Sequence, residues 1–204
     1  MFFLGKQFIK PTVKLRILAL LQALSENSRL SQTRLGKFCH TSSAMVHKYL
    51  AEMQGQGLVD FQPVDKKSYM YALTPKGVAE RKTLMETYCS EMVQAYASLK
   101  QIVRRRLEPL TEEGITRVAL FGAAETCEVV LTALQGSGCT VVGILDNASR
   151  KQGTRFHDHT VLPPESLAHL DAQAVIITSF ARQDDIYRQL AAMPAMREKK
   201  IFTL

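Results

Sequence analysis

The sequence predicts an α/β chain made of two unlike parts: a winged-helix N-terminal part of α+β type and a C-terminal parallel α/β sheet, joined by a long helix. Three observations carry this expectation. Three short amphipathic helices are followed by two short strands around a lysine-tipped turn. An uninterrupted helical stretch then begins at Pro75. From Thr116 the apolar period changes to compact runs alternating with helices, the pattern of strands buried on both faces.

A chain of 204 residues is long enough to bury two cores. Charge divides along the same line. Residues 1–113 hold 17 Lys and Arg against 10 Asp and Glu, whereas residues 114–204 hold 9 of each. The whole excess of +7 therefore lies in the N-terminal half, where a polyanion is the expected partner. No apolar run is long enough to span a bilayer, and the patch Phe2-Phe3-Leu4 is broken by Lys6 and Lys10 with no signal-peptide core. The expectation is a cytoplasmic protein with no membrane partner. Cys39, Cys89, Cys127 and Cys139 show no CxxC or metal spacing and read as free thiols in a reducing compartment.

The first helix is expected from Pro11, with Val13, Ile17, Leu20, Leu21 and Leu24 inward, and is broken by Glu26-Asn27-Ser28. Ser31 caps a second helix over 32–39, with Leu35 and Phe38 inward. After a turn at His40-Thr41, Ser42 caps a third from Ser43 to about Gln54, with Val46, Leu50 and Met53 inward and Tyr49 at the edge. Gly55 and Gly57 end it. Helices two and three form a helix-turn-helix. Strands over 58–63 and 68–73 then flank Val64-Asp-Lys-Lys67 as a wing.

A recognition helix enters the major groove by its N-terminal half. Ser43, Ala44, Met45, His47 and Lys48 are the residues expected at base edges, with the Ser42 cap beside them in the DNA-binding set, Arg34 and Lys37 on the phosphate backbone and Lys66 and Lys67 at the wing tip. The partner implied is double-stranded DNA. The stretch from Pro75 to Leu107 reads as one helix stopped by Pro109. Met85, Tyr88, Met92, Ala95, Leu99 and Ile102 recur in it at steps of three and four, an a/d stripe suited to pairing two subunits.

Thr111-Glu-Glu-Gly114 reads as a linker. Strands are expected over 116–121, 140–145, 174–178 and 200–204, and helices over 125–135 and 182–193. A strand-turn-helix with Asp146 closing the second strand is a Rossmann-type layout. Its glycine fingerprint is damaged: Gly122 is present, but Ala124 and Cys127 stand where glycines belong, and Glu125 occupies the helix turn that would hold a phosphate. NAD(P) is therefore disfavoured; a nucleotide, sugar-nucleotide or related small effector is the open alternative to a domain kept for assembly. Candidate ligand contacts are Gly122, Ala123, Ala124, Glu125, Asp146, Asn147, Ser179 and Arg182. His157-x-His159 lacks a third metal ligand and reads as a loop; Tyr187 lacks a Lys four residues on, and no catalytic set or metal site emerges.

Two resemblances sharpen the expectation. Leu30-Ser31, Leu35, Met53, Gly57-Leu58-Val59 and above all Tyr71-Ala-Leu-Thr-Pro-Lys-Gly77 make residues 10–107 similar to MarR-type winged-helix repressors. That resemblance implies a homodimeric transcriptional regulator paired through the helix after the wing. Val118-Ala-Leu-Phe-Gly-Ala123, Val142-Gly-Ile-Leu-Asp-Asn147, Lys151-Gln-Gly153, His159-Thr-Val-Leu-Pro163 and Ala174-Val-Ile-Ile-Thr178 make the second half similar to the small nucleotide-binding-type domain of sugar acyltransferases and sugar-nucleotide enzymes. The order of the two parts resembles the Rex repressors. The domains expected are 1–74 for DNA binding, 75–110 for dimerisation and 111–204 for ligand sensing. The function expected is that of a non-enzymatic regulator. The rivals are a sugar-nucleotide enzyme with a basic appendage and a protein-interaction adaptor.

Overall fold

The computed structural model describes residues 11–63 and 69–204. The chain divides into two compact units, the boundary falling between Val93 and Gln94.

In the first unit, α1 (Val13–Glu26), α2 (Gln32–Cys39) and α3 (Ser43–Gly55) are each opened by a hydroxyl cap. Thr12, Ser31 and Ser42 accept the N–H groups of Leu15, Arg34 and Met45 with their side-chain oxygens, satisfying donors that a helix start leaves orphaned. The turn between α2 and α3 places His40 at φ 48°, and Thr41 N–H closes back onto Gly36 C=O at 3.0 Å. Gly36 is required there because a Cβ would lie 2.7 Å from Thr41 C=O. α3 ends on Gly57 at φ 70°, with Leu58 N–H on Met53 C=O and Gly57 N–H on Gln54 C=O. That pair of bonds is a Schellman closure, so Gly57 stops the helix and Gly55 lies within it.

β1 (Val59–Pro63) and β2 (Tyr69–Leu73) pair antiparallel, Phe61 opposite Tyr71 with their rings edge to face at 5.0 Å. The three helices and this hairpin share one core, built on Leu20, Leu21, Leu35, Val46, Leu50, Met53, Val59 and Tyr71. Two inward expectations fail. Phe38 is 45% exposed, because Leu35 and Cys39, one turn apart, occupy the inner face of α2; Val13, in the first turn of α1, is also exposed.

α4 (Pro75–Glu112) opens with Thr74, whose Oγ1 accepts Gly77 N–H at 3.0 Å and donates to Gly57 C=O at 2.7 Å. Pro75 suits the first helical position, where no N–H is needed. Gly77 packs directly on the Leu58 backbone, leaving no room for a side chain. The Thr-Pro-Lys-Gly string is thus cap, starter and close contact in sequence. Pro109 does not stop α4, and Thr111 and Glu112 belong to the helix rather than to a linker. The stop is Gly114 at φ 68°, with Ile115 N–H on Leu110 C=O and Gly114 N–H on Thr111 C=O.

The second unit contains β3 (Arg117–Phe121), α5 (Glu125–Leu134), β4 (Thr140–Leu145), β5 (Arg155–Phe156), β6 (His159–Leu162), β7 (Ala174–Ile177), α6 (Gln183–Ala191) and β8 (Lys200–Phe202). The sheet order is β5-β6-β4-β3-β7-β8, parallel except for the β5–β6 pair. β3 is central and buried on both faces. Val118 and Leu120 meet a core made with Val103, Leu107 and Leu110 of α4 and with Cys127 and Val130 of α5. Ala119 and Phe121 meet the opposite core, with Leu167, Ile186 and Leu190. The loop expected around His157 and His159 is instead a tight hairpin: His157 turns at φ 52° and His159 lies in β6. Strands of two and four residues are too short to leave a clear period in the sequence.

Candidate functional site: the recognition surface and the β3–β4 loop cluster

The capped start of α3 turns one face away from the core. Ser42, Ser43, Ala44, His47 and Lys48 are exposed, whereas Met45 is half-buried against the core, which takes part of its surface out of reach of a partner. Arg34 and Lys37 are exposed on α2. Thr33, Lys37, His40, Thr41, Ser42 and Ser43 together line a shallow concave surface across the helix-turn-helix. Ser43 Oγ lies 3.5 Å from Thr33 Oγ1, and Gln32 Nε2 lies 3.4 Å from His47 Nδ1 and 3.0 Å from Tyr71 Oη. Gln32 and Tyr71 were not singled out from sequence, because nothing in their spacing marks a bond between elements 39 residues apart. Lys66 and Lys67 lie outside the described residues.

Along α4, Met85, Tyr88 and Leu99 are half-buried, while Met92 (43%), Ala95 and Ile102 (51%) are exposed. Val93 and Tyr96 add further exposed apolar surface. Tyr88 and Met92 line a groove with Val13, Leu15, Leu18 and Leu84, about 430 Å³ in volume, within the first unit.

In the second unit the turn after β3 is held by the loop after β4. Asp146 is 8% exposed, and its carboxylate accepts from Ala123 N–H at 2.8 Å, Ala148 N–H at 2.8 Å and Lys151 Nζ at 3.0 Å. Burial opposes ionisation of this carboxyl, yet those N–H bonds and the Lys151 ammonium outweigh it and hold the group below the usual carboxylate range. Lys151 Nζ also donates to Ala123 C=O at 2.7 Å, and Gln152 Nε2 to Asp146 C=O at 2.9 Å. Thr178 Oγ1 lies 2.8 Å from Phe121 C=O and 2.6 Å from Gly122 C=O, joining the ends of β7 and β3. Gly122, at φ 116°, sits under that threonine, so a Cβ would lie 3.1 Å from Thr178 Oγ1.

The cluster thus brings Gly122, Ala123 and Asp146 together through Lys151 and Thr178, which the sequence marked within the second resemblance but not as site residues. Asn147 exchanges two amide hydrogen bonds with Gln189 at 2.8 and 2.9 Å. Ser179 Oγ accepts from Arg182 N–H at 3.3 Å, and Arg182 precedes the first turn of α6. Ala124 precedes α5 without a side-chain cap, and Glu125 is exposed in its first turn.

These groups do not fit a dinucleotide. The Ala123 N–H that would face a pyrophosphate is spent on Asp146, Glu125 sets a negative charge at the helix start, and a ribose would have to displace Lys151 from Asp146. Cys127, at the last fingerprint position, is fully buried, and burial pushes its thiol up to about 12 despite a bond from Thr178. Cys39 is likewise pushed up to about 11 by burial, so neither thiol ionises near neutral pH. Among the described residues no cluster of His, Cys, Asp and Glu could hold a metal ion, and no helix is long and apolar enough to cross a membrane.

Comparison with known proteins follows the same division. A family described as winged helix-turn-helix DNA-binding matches residues 13–60, and one described as C2185-like, N-terminal, matches residues 114–202. No curated protein matches the chain. Among solved structures, RV1404 from Mycobacterium tuberculosis is 18% identical over 41% of this chain and 59% of its own, with a TM-score of 0.32. This chain therefore spans less than two thirds of that relative. The M. tuberculosis MarR family protein RV2887, in complex with salicylic acid, is 20% identical over 48% of this chain and 75% of its own, at a TM-score of 0.38. A probable transcriptional regulator from Pseudomonas aeruginosa is 24% identical over 49% and 77%, also at 0.38. The N-terminal unit is a winged helix-turn-helix similar in sequence to DNA-binding modules, and the second unit is a parallel α/β sheet similar to C2185-like N-terminal domains.

Proposed function

We propose that this chain is a DNA-binding transcriptional regulator that grips double-stranded DNA with α3 and the wing and works as a homodimer through α4. The observation that carries the reading is the outward face of the first two turns of α3. Ser42, Ser43, Ala44, His47 and Lys48 are exposed together on a helix whose opposite side is locked into the core. Short side chains let that helix approach base edges with His47 and Lys48, Arg34 and Lys37 supply phosphate contacts, and Lys66 and Lys67, outside the described residues, are expected to add charge. The half of the chain holding the whole net charge is the half with this surface.

Pairing through Met85, Tyr88, Met92, Ala95, Leu99 and Ile102 would cover Met92, Ala95 and Ile102, which are exposed on α4, and complete the burial of the others. On this reading residues 1–74 bind DNA, 75–110 pair the subunits and 111–204 form a Rossmann-like domain. Over its parallel strands the order β6-β4-β3-β7-β8 reverses between β3 and β7, where such sheets place ligands. An effector there would meet Ser179 and Arg182 before the Asp146 cluster. It would act by binding two dimer arrangements with unequal affinity, or the domain would serve assembly alone.

Footprinting the purified protein on the DNA upstream of its own gene, at two salt concentrations, tests the reading. The expected result is a protected site with two half-sites about one helical turn apart. Absence of protection, or protection without sequence preference, would overturn it in favour of an adaptor.

A further inference from the structure

Resting on that reading of α3 as the recognition helix, we infer that Gln32 is a specificity-positioning residue. It orients the His47 ring so that Nε2–H is offered as a hydrogen-bond donor to the major groove. Gln32 belongs to α2, His47 to α3 and Tyr71 to β2, and a single amide nitrogen joins them, 3.4 Å from His47 Nδ1 and 3.0 Å from Tyr71 Oη. An amide NH2 can only donate. With one hydrogen on the Tyr71 oxygen, the other meets Nδ1, and the ring tautomer that accepts it has its N–H on Nε2, the nitrogen remote from Gln32.

The triad has a firm base. Tyr71 is buried, packs edge to face on Phe61 and donates its backbone N–H to Ser28 C=O at 2.9 Å. Gln32 is half-buried in the first turn of α2, just after the Ser31 cap. His47 is exposed. A reading side chain is thus steered by a residue that itself need not touch DNA, and the wing strand reaches base readout through one amide. A ring donor at this position accepts guanine, adenine or thymine, all of which present an acceptor in the major groove. It opposes cytosine, which presents its amino group.

The test is selection of binding sites from randomised duplexes with the full chain, followed by titration of duplexes altered at each base pair. In the wild type, one position in each half-site should disfavour cytosine, and His47→Ala should level that position alone. Gln32→Leu should weaken the same preference by roughly two- to tenfold, the worth of one hydrogen bond, with other positions and the salt slope unchanged. Tyr71→Phe, which keeps the aromatic packing, should act in the same direction at the same position. In a His47→Ala background neither change should add anything. If Gln32→Leu lowers affinity at every position, or acts equally without His47, Gln32 is a structural residue and the inference fails. If no site is enriched at all, it is the reading of α3 as a recognition helix that fails.

Discussion

Replacing Asp146 by Ala would remove the acceptor that joins the β3 turn to the β4 loop, and the structure sets the scale of the loss. Three donors converge on that carboxylate: Ala123 N–H, Ala148 N–H and Lys151 Nζ. Each hydrogen bond to a charged group contributes about 1.5–3 kcal/mol, but the three share one acceptor and do not add. Breaking a fully buried ion pair costs about 3–5 kcal/mol; since the Lys151 side chain keeps 33% of its exposure, part of that cost is recovered by hydration. A loss of about 3 kcal/mol is expected for the second unit. At a urea dependence of about 2 kcal/mol per molar, the midpoint should fall by about 1.5 M. The chain has two units and no Trp, so the titration is best read by hydrogen exchange on peptides from β3 and β4. A midpoint shift under about 0.3 M would refute the reasoning. It would mean that the carboxylate is solvated and free for a ligand.

The same carboxylate predicts an acid limb. Its folded pKa lies below the unfolded value of about 3.9, so its contribution is complete above that pH and is lost as pH falls through the lower folded value; Asp146→Asn should flatten the acid-side stability profile of the second unit. Gly77→Ala forces a methyl into the Leu58 backbone and should cost the first unit about 3 kcal/mol, visible as a lower thermal midpoint by circular dichroism. Met92→Glu places a charge on the exposed face of α4 and should shift the chain toward monomer in sedimentation equilibrium. Lys37→Ala should lower the slope of log affinity against log salt by about 1 without relaxing sequence preference.

What the sequence disclosed follows from the range of the interactions involved. Helix starts were legible because Ser31 and Ser42 act on N–H groups three residues ahead. The wing exit was legible through the resemblance of Tyr71 to Gly77, and the structure supplies the chemistry behind that string in Thr74, Pro75 and Gly77. The buried strands over 117–121 and 140–145 announced themselves by apolar runs. Other features depend on what the fold brings together. Phe38 looks inward on a helical wheel, but Leu35 and Cys39 already fill the side of α2 that meets the core. Pro109 looks like a stop, but Gly114 supplies the left-handed residue that ends α4. Lys151 and Thr178 stand within stretches that carry the second resemblance, but their roles could not be read there, because they arise only when β4 and β7 flank β3. Asp146 was visible as a strand-end acid, but its engagement by three donors was not.

The most specific demand on the chain comes from the middle of α4. Its start is tied to the first unit through Thr74, Gly77 and Arg81, whose Nη1 donates to Gln22 at 2.9 Å. Its end is tied to the second through Val103, Leu107 and Leu110. Between them, from Cys89 to Ser98, every residue is exposed, Met92, Val93 and Tyr96 among them. These ten residues are the middle of one continuous helix, so their helicity needs no partner; what stands out is the apolar surface they leave open. Apolar side chains there are costly unless something buries them, and a second copy of the same helix offers the matching surface at the matching spacing. If that is the role of this segment, hydrogen exchange over 89–98 should slow as protein concentration rises through the dimerisation range, and Met92→Glu should abolish that dependence. Exchange that stays fast at every concentration would leave the apolar face unpaired and remove the dimer from the proposed function.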